Sequence, residues 1–594
     1  EEEAQAWADQ YNIDASKENF DQVDASWNYN TNLTDHNLQI SLEMSEKLAA
    51  FDKVSAGEAN EFDWENFQDE TLSREFGRIV DIGEAVLPED DYNECNNLRE
   101  SMKYIYSTGC VSNRPGDEDP EKCYPLDPDL TQIMATSEDW AELVWAWEGW
   151  RDATGKQMPD MYEEFAGYLN QAADMNGYAD NGEYWRSWYE MDGFAEECER
   201  LWLEVKPLYD QLHAYVRRKL QERYPDEEFP ADGHIPAHIL GNMWAQSWAA
   251  LEPLVRPFPE KSSIDVTDEL VNQGYDALGL FVLAEEFFIS LGLIEMPPPF
   301  WEHSMIEKPD DRDVTCHASA WDFMNQVDFR VKQCTEVTQS WLSTTHHEMG
   351  HVEYFLQYMN QPIQFRTGAN PGFHEAIGDV MDLSVNTPDH LYAIGLLPDY
   401  DEDDLNDPEV DMNFLMSMAL SKIAFLPFGY LIDQWRWDVF AGDSVRETYN
   451  SDWWDQRCKY QGLSPPVTRH VNEDFDAGSK YHVPANTPYI RYFISHILQF
   501  QFHEALCEAA GWEGDLHRCS IYQSLEAGQL IGDMMELGAS KPWPDALEAM
   551  TGTRDMSAEP IIHYFQPLLD WLAAENEGHP IGWNEQCPDG AIEG

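Results

Sequence analysis

Two histidines and two acids stand at spacings that suit metal binding. His347-Glu348-Met349-Gly350-His351 puts imidazoles at i and i+4, on one face of a helix about one turn apart. Imidazoles so placed can grip one zinc ion, with Glu348 beside the metal. Downstream, Gly372-Phe373-His374-Glu375-Ala376-Ile377-Gly378-Asp379 repeats the spacing with Glu375 and Asp379. Where two His and one Glu bind zinc, the Glu comes from such a second helix and an acid one turn on supports a ligand histidine. Taken singly, the first motif also fits two surface histidines and the second a surface charge pair. Their order and closeness favour a zinc site with ligands His347, His351 and Glu375, backed by Asp379.

Both motifs need helices to carry them. The first segment runs on through Val352, Tyr354, Phe355, Leu356 and Tyr358 and must stop before Pro362. Residues 1–110 also read as helical, with a break at Leu87-Pro88-Glu89-Asp90-Asp91. Asn113 to Asp117 is a loop by composition, and 138–224 is helical, its Trp and Tyr side chains expected mainly in the core. Six prolines make 225–263 loop-rich, a long helix is expected over Thr267 to Leu291, and Pro297-Pro298-Pro299 stops any helix. Asp328-Phe329-Arg330-Val331-Lys332 alternates as one half of a short strand pair. The acidic run Asp399 to Asp404 lacks the glycine of an EF-hand loop and reads as a solvated loop. The remainder is helical to about Leu572, apart from a loop near Pro465 to Pro484. No repeat or low-complexity linker divides the chain. Residues 1–594 are therefore expected to form a single catalytic domain, mostly α, with a few short strands and two lobes around a deep central cleft holding the metal.

The 594 residues are 43% hydrophobic and 13% aromatic, a globular composition. Against 112 acidic residues stand 36 basic ones, a net charge of −76. Such a field repels nucleic acid and anionic membrane and excludes both as partners. A heavily solvated surface, suited to a salty medium, accounts for it; a taste for basic substrates is the other reading. No apolar run is expected to span a membrane, since the best candidate, Leu278 to Leu293, is broken by Glu285 and Glu286. Glu1-Glu2-Glu3 has the look of a mature, processed N-terminus and not of a signal peptide. Ten scattered cysteines without a CxxC fit disulfides and an oxidising compartment. Asn32-Leu33-Thr34 is the only usable glycosylation sequon, because Asn386-Thr387 and Asn486-Thr487 run into prolines. It agrees with secretion.

Across nearly its whole length, from Ser26-Trp27-Asn28-Tyr29-Asn30 to Gly582-Trp583, the chain resembles the angiotensin-converting enzyme family of zinc peptidyl-dipeptidases. The most specific blocks are Cys316-His317-Ala318-Ser319-Ala320-Trp321, His347 to His351, Gly372 to Asp379 and Pro488-Tyr489-Ile490-Arg491-Tyr492-Phe493. The resemblance implies a single-domain soluble member in which Glu348 is the general base and His482 and Tyr492 hold the oxyanion. It also implies that His317 and the backbone of Ala318 hold the substrate main chain. Gln246, Lys480 and Tyr489 would grip the free C-terminal carboxylate of an oligopeptide. The family's carboxypeptidase-type homologue carries Arg at the position of Gln246, so the dipeptide-removing type is implied here. Two chloride sites are implied as well, one at Arg151, Trp453 and Arg457 and one at Tyr189 with Arg491; a carboxylate partner for these arginines is the alternative. Cys110–Cys123, Cys316–Cys334 and Cys507–Cys519 match family disulfides, and Cys458–Cys587 matches some invertebrate members, leaving Cys95 and Cys198 to each other. One departure stands out: where the family has an aromatic at the far end of the dipeptide pocket, this chain has His496, although Phe425 and Phe428 remain.

The expectation is thus a secreted zinc peptidyl-dipeptidase with chloride as a second cofactor. A carboxypeptidase removing single residues and a catalytically dead binding homologue are the alternatives.

Overall fold

The computed structural model describes residues 1–261 and 264–594. Among them, 23 α-helices dominate, with eight strands of two to four residues joined in four pairs. The fold is mostly α. One buried core cluster runs from Leu87 to Leu572, and smaller clusters lie beside it, among them one under the N-terminal helices Glu2–Asn30, Asp35–Ala59 and Glu70–Val80. The predicted loop-rich stretch at 225–263 holds a two-residue strand and short helical turns, its last two residues lying outside the described ones.

The motif helix spans Gln339–Tyr358, stopping before Pro362 as its sequence requires. Its N-cap is Thr338, whose Oγ1 accepts from the Trp341 amide at 3.1 Å. The second helix, Phe373–Val385, packs across it. Glycine lets them touch: a Cβ on Gly350 would lie 3.3 Å from Cα of Gly378, and a Cβ on Gly378 would strike the His347 ring at 2.7 Å. Ser343 ties the far ends, donating to Asp382 at 2.5 Å and accepting from Asn386 at 2.7 Å. The antiparallel hairpin Ser319–Asp322 with Phe329–Lys332, predicted from its alternation, lies against the motif helix, with Ser319 paired to Lys332.

Several sequence expectations need correction. The helix expected over Thr267 to Leu291 is two, Thr267–Asn272 and Ala277–Ser290. Gly274 turns the chain at φ +79°, and Asp276 then caps the second helix by accepting from the Gly279 amide at 2.7 Å. The proline run does not only stop a helix: Pro298 and Pro299 open Pro298–His303, because the first turn has no donors to lose. Within the acidic run, Asp401 accepts from the amides of Asp403 and Asp404 and starts one helical turn, Glu402–Leu405. Pro408–Ala441 is long and apolar enough to cross a membrane, which the sequence reading missed; 72% of its most apolar window is buried inside the molecule, as in the core helix of a folded domain.

The disulfides Cys110–Cys123, Cys316–Cys334, Cys458–Cys587 and Cys507–Cys519 are formed. Cys95 and Cys198 are not paired; both are buried free thiols. The reason is position. Cys95 sits near Glu84 and Arg99, whereas Cys198 sits near Tyr189 and Asp433.

Candidate metal centre and catalytic cleft

His347 Nε2 and His351 Nε2 lie 3.1 Å apart, and Glu375 Oε2 lies 3.6 and 3.9 Å from them. Ligands about 2.0–2.1 Å from a tetrahedral zinc stand roughly 3.3–3.4 Å from one another, so the three donors fit that ion. The outer nitrogens set the tautomers. His347 Nδ1 is 3.3 Å from Asp379 Oδ1, and a carboxylate only accepts, so the proton sits on Nδ1 and Nε2 is free for metal. His351 Nδ1 meets His374 Nδ1 at 3.3 Å, and His374 Nε2 meets the Tyr358 hydroxyl at 3.1 Å. His351 keeps a bare Nε2 if it donates to His374, which in turn donates to Tyr358. Sequence reading overlooked His374 although it directly precedes Glu375.

Asp379 is itself held. Lys422 Nζ lies 3.4 Å from its Oδ1 and Gln499 donates to its Oδ2 at 3.1 Å. Burial opposes its charge, yet Lys422 and His347 keep it well below the usual carboxylate range. Glu348 is buried beside His347 and Glu375. Burial pushes its carboxyl up to about 7, with His347 pulling it down, Glu375 adding to the rise and Lys332 opposing it. Lys332, at the end of the hairpin, donates to the carbonyls of Thr315, at 2.6 Å, and His317. That contact and the Cys316–Cys334 bridge fix the segment carrying His317 and Ala318.

One cavity of about 1160 Å³ is lined by every catalytic, metal and substrate residue expected from the sequence: Gln246, His317, Ala318, His347, Glu348, His351, Glu375, Asp379, Lys480, His482, Tyr489 and Tyr492. Lys480 Nζ donates to Gln246 Oε1 at 2.7 Å and lies 4.3 Å from the Trp244 ring and 5.6 Å from the Tyr489 ring. His482 stands edge-on to Tyr489 and Tyr492, with centroids 4.8 and 5.6 Å away. Burial drives it down to about 2, with Lys480 adding to the effect, so the ring is neutral. The segment bearing these residues is pinned from the long core helix. Asp433 accepts from the amides of Tyr489, at 2.6 Å, and Ile490, at 2.7 Å, and Arg436 donates to the carbonyls of His482, at 3.0 Å, and Thr487, at 2.8 Å. Asp433 and Arg436 are paired and fully buried; neither was singled out from sequence, where they pass for two more polar residues of an apolar helix.

The family model described as angiotensin-converting enzyme matches residues 1–583. The chain belongs to that family. It is a zinc metallopeptidase of the family by the same match and by its relatives. An angiotensin-converting enzyme of Theromyzon tessulatum is 59% identical over 572 residues, covering 96% of this chain and 92% of that protein. One of Mus musculus is 50% identical over 566 residues, covering 95% of this chain but 42% of that protein. The angiotensin-converting enzyme-like protein Ace3 of Mus musculus is 46% identical over 564 residues, covering 94% and 75%. The chain thus spans less than half of the longer mouse relative.

Of the residues that the resemblance implies for halide, Arg151, Tyr189, Trp453 and Arg457 are buried and Arg491 is half-buried. Arg151, Trp453 and Arg457 are sealed in the core. Arg151 donates to the carbonyls of Trp147 and Met243, and Arg457 to that of Trp244. Among the described residues the Nε atoms of Arg151 and Arg457, and that of Arg491 beside Tyr189, have no hydrogen-bond partner. Among the described residues none of the three arginines forms an ion pair, since Asp476 is taken by Arg469 at 2.7 Å. Asn32, the sequon residue, is half-buried in the turn after helix Glu2–Asn30.

Proposed function

We propose that the protein is a secreted peptidyl-dipeptidase that releases dipeptides from the free C-terminus of oligopeptides and works as one catalytic unit over the whole chain. The observation that carries this reading is the Gln246–Lys480 pair in the same cavity as the metal triad. A zinc ion held by His347, His351 and Glu375 would polarise the scissile carbonyl and the attacking water. Glu348 takes the proton from that water and passes it to the leaving amine. Tyr492 and His482 donate to the developing oxyanion, while His317 and the Ala318 backbone hold the chain in an extended line. The terminal carboxylate meets Lys480, the Tyr489 hydroxyl and the Gln246 amide nitrogen, the last left free because Gln246 receives Lys480 through its oxygen.

The spacing between the carboxylate anchor and the triad sets the product. An extended chain advances about 3.3–3.6 Å per residue, so a difference of one residue is not absorbed by side-chain adjustment. A long Arg at 246 would close the pocket by one residue; Gln246 leaves room for two. Halide at Arg151 with Arg457, and at Arg491 with Tyr189, is part of this reading. Three buried guanidinium Nε atoms without a hydrogen-bond partner among the described residues support it, Asp476 being the carboxylate whose charge Arg151 and Arg457 feel. The four disulfides support an oxidising, extracellular setting, and glycosylation at Asn32 belongs with it.

Ladder sequencing by mass spectrometry after incubation with zinc, chloride and a plain peptide tests the assignment. The expected ladder steps by two residues, and C-terminal amidation slows cleavage about ten- to a hundredfold, the loss of a charge-assisted contact worth roughly 1.5–3 kcal/mol. Steps of one residue would assign the carboxypeptidase activity instead, and an uncut peptide the binding homologue.

A further inference from the structure

His496 lies one turn after Tyr492 on helix Ile490–Ala509 and lines the cavity, yet the catalytic reading gives it no task. Its Nδ1 is 2.8 Å from the Tyr492 carbonyl oxygen. A carbonyl only accepts, so Nδ1 carries the proton and Nε2 of the neutral ring offers a lone pair. Among the described residues no protein group bonds that Nε2. Phe425 stacks on His496 with centroids 4.4 Å apart and planes at 27°, and Phe425 packs in turn on Tyr489 at 6.0 Å. A flat wall therefore leads from the carboxylate anchor to a bare acceptor.

A second acceptor lies in the same cavity wall. Asp382 receives Ser343 on Oδ1, and its Oδ2 takes no protein donor among the described residues. Lys422 neighbours Asp382, Asp379 and His496 and is the cation common to them. Asp379 is already committed to His347, Lys422 and Gln499. The wall thus offers flat apolar rings, two free acceptors and an excess of negative charge. That combination matches a planar cationic donor better than an apolar side chain. The side chain that reaches it first is that of the last residue, since its own carboxylate is held at Lys480 and Tyr489.

We propose that His496, with Asp382, is a specificity-determining residue that selects peptides ending in a basic side chain, arginine ahead of lysine. This rests on the dipeptidase reading above. The test uses the zinc-loaded enzyme at fixed chloride and peptides that differ only in a final Arg, Lys, Leu or Phe. The expected kcat/KM for dipeptide release is about tenfold higher for Arg than for Leu or Phe. His496→Phe should cut that ratio about tenfold, and His496→Gln, which keeps an acceptor, should retain most of it. An Arg peptide no better than Leu in the wild type, or an unchanged ratio in His496→Phe, overturns the proposal. Should His496→Phe not fold, the wild-type preference and its change in Asp382→Asn decide. If the wild type releases no dipeptide from any peptide, the dipeptidase reading fails, and equilibrium binding of the same peptides to wild type and His496→Phe still measures the preference.

Discussion

Lys480 is an ammonium group in an aromatic box. Trp244, Phe428 and Tyr489 surround its Nζ at 4.3, 5.9 and 5.6 Å, with the Gln246 oxygen as hydrogen-bond acceptor. Burial lowers its pKa to about 7, because the charged form gives up water for neutral neighbours. The free site therefore holds a charged lysine below about pH 7 and a neutral one above. A carboxylate arriving there favours the charged form, so binding at pH 8 should take up a proton and binding at pH 6 should not. Affinity for a free C-terminus should fall as pH rises through 7. Titration calorimetry of a dipeptide in two buffers of different ionisation heat reads the uptake directly; a value of zero at pH 8 would mean that Lys480 stays charged throughout.

The candidate metal site forms because two helices approach more closely than side chains normally permit. Gly350 and Gly378 remove the Cβ atoms at the crossing, and His347 fills the space that a residue at 378 would need. The prediction at this scale is Gly378→Ala. Its methyl would meet the His347 imidazole at 2.7 Å, turning the ring away from Asp379 and from its ligand partners. Zinc affinity should drop about ten- to a hundredfold, the range for losing an orienting contact of a ligand histidine. Competition with a chelator measures it. Native affinity in a folded Gly378→Ala protein would show that the helices can part without cost to the site.

Over the whole molecule, bridges and charge set the mechanics. Cys458–Cys587 closes a span of 129 residues and ties the C-terminal strand Ile592–Glu593 against Arg469–His470. In the chain-entropy model such a loop contributes about 5 kcal/mol. Replacing both cysteines by serine should lower the melting temperature and expose the C-terminal segment to proteolysis. The unpaired Cys95 and Cys198 make a sharper count: thiol titration should find none in the native protein and two per chain after denaturation without reductant. No thiols under denaturing conditions would show that these two cysteines are bonded to each other. The −76 charge adds self-repulsion, which the bridges and core must outweigh.

The two helices and the grouping of His347, His351, Glu375 and Asp379 that they bring about were legible in the sequence, because i, i+4 spacing is a local property and a helix converts it directly into geometry. The hairpin behind Glu348 was legible for the same reason, its alternation being local. The pairing of Gln246 with Lys480, proposed above as the carboxylate anchor, was not legible from spacing, since the two are 234 residues apart; only the family resemblance singled them out, and only the fold shows them in contact at 2.7 Å. Asp433 and Arg436 were invisible, because a buried ion pair is defined by what surrounds it and their sequence neighbours give no sign of the loop they hold. The fate of Cys95 and Cys198 likewise depended on where two helices carry them, not on a count of cysteines. Local pattern fixed which groups this chain has for chemistry. Burial and long-range packing decided which of them face one another, which tautomer each histidine holds, and that His496 meets the cavity with an unshared acceptor.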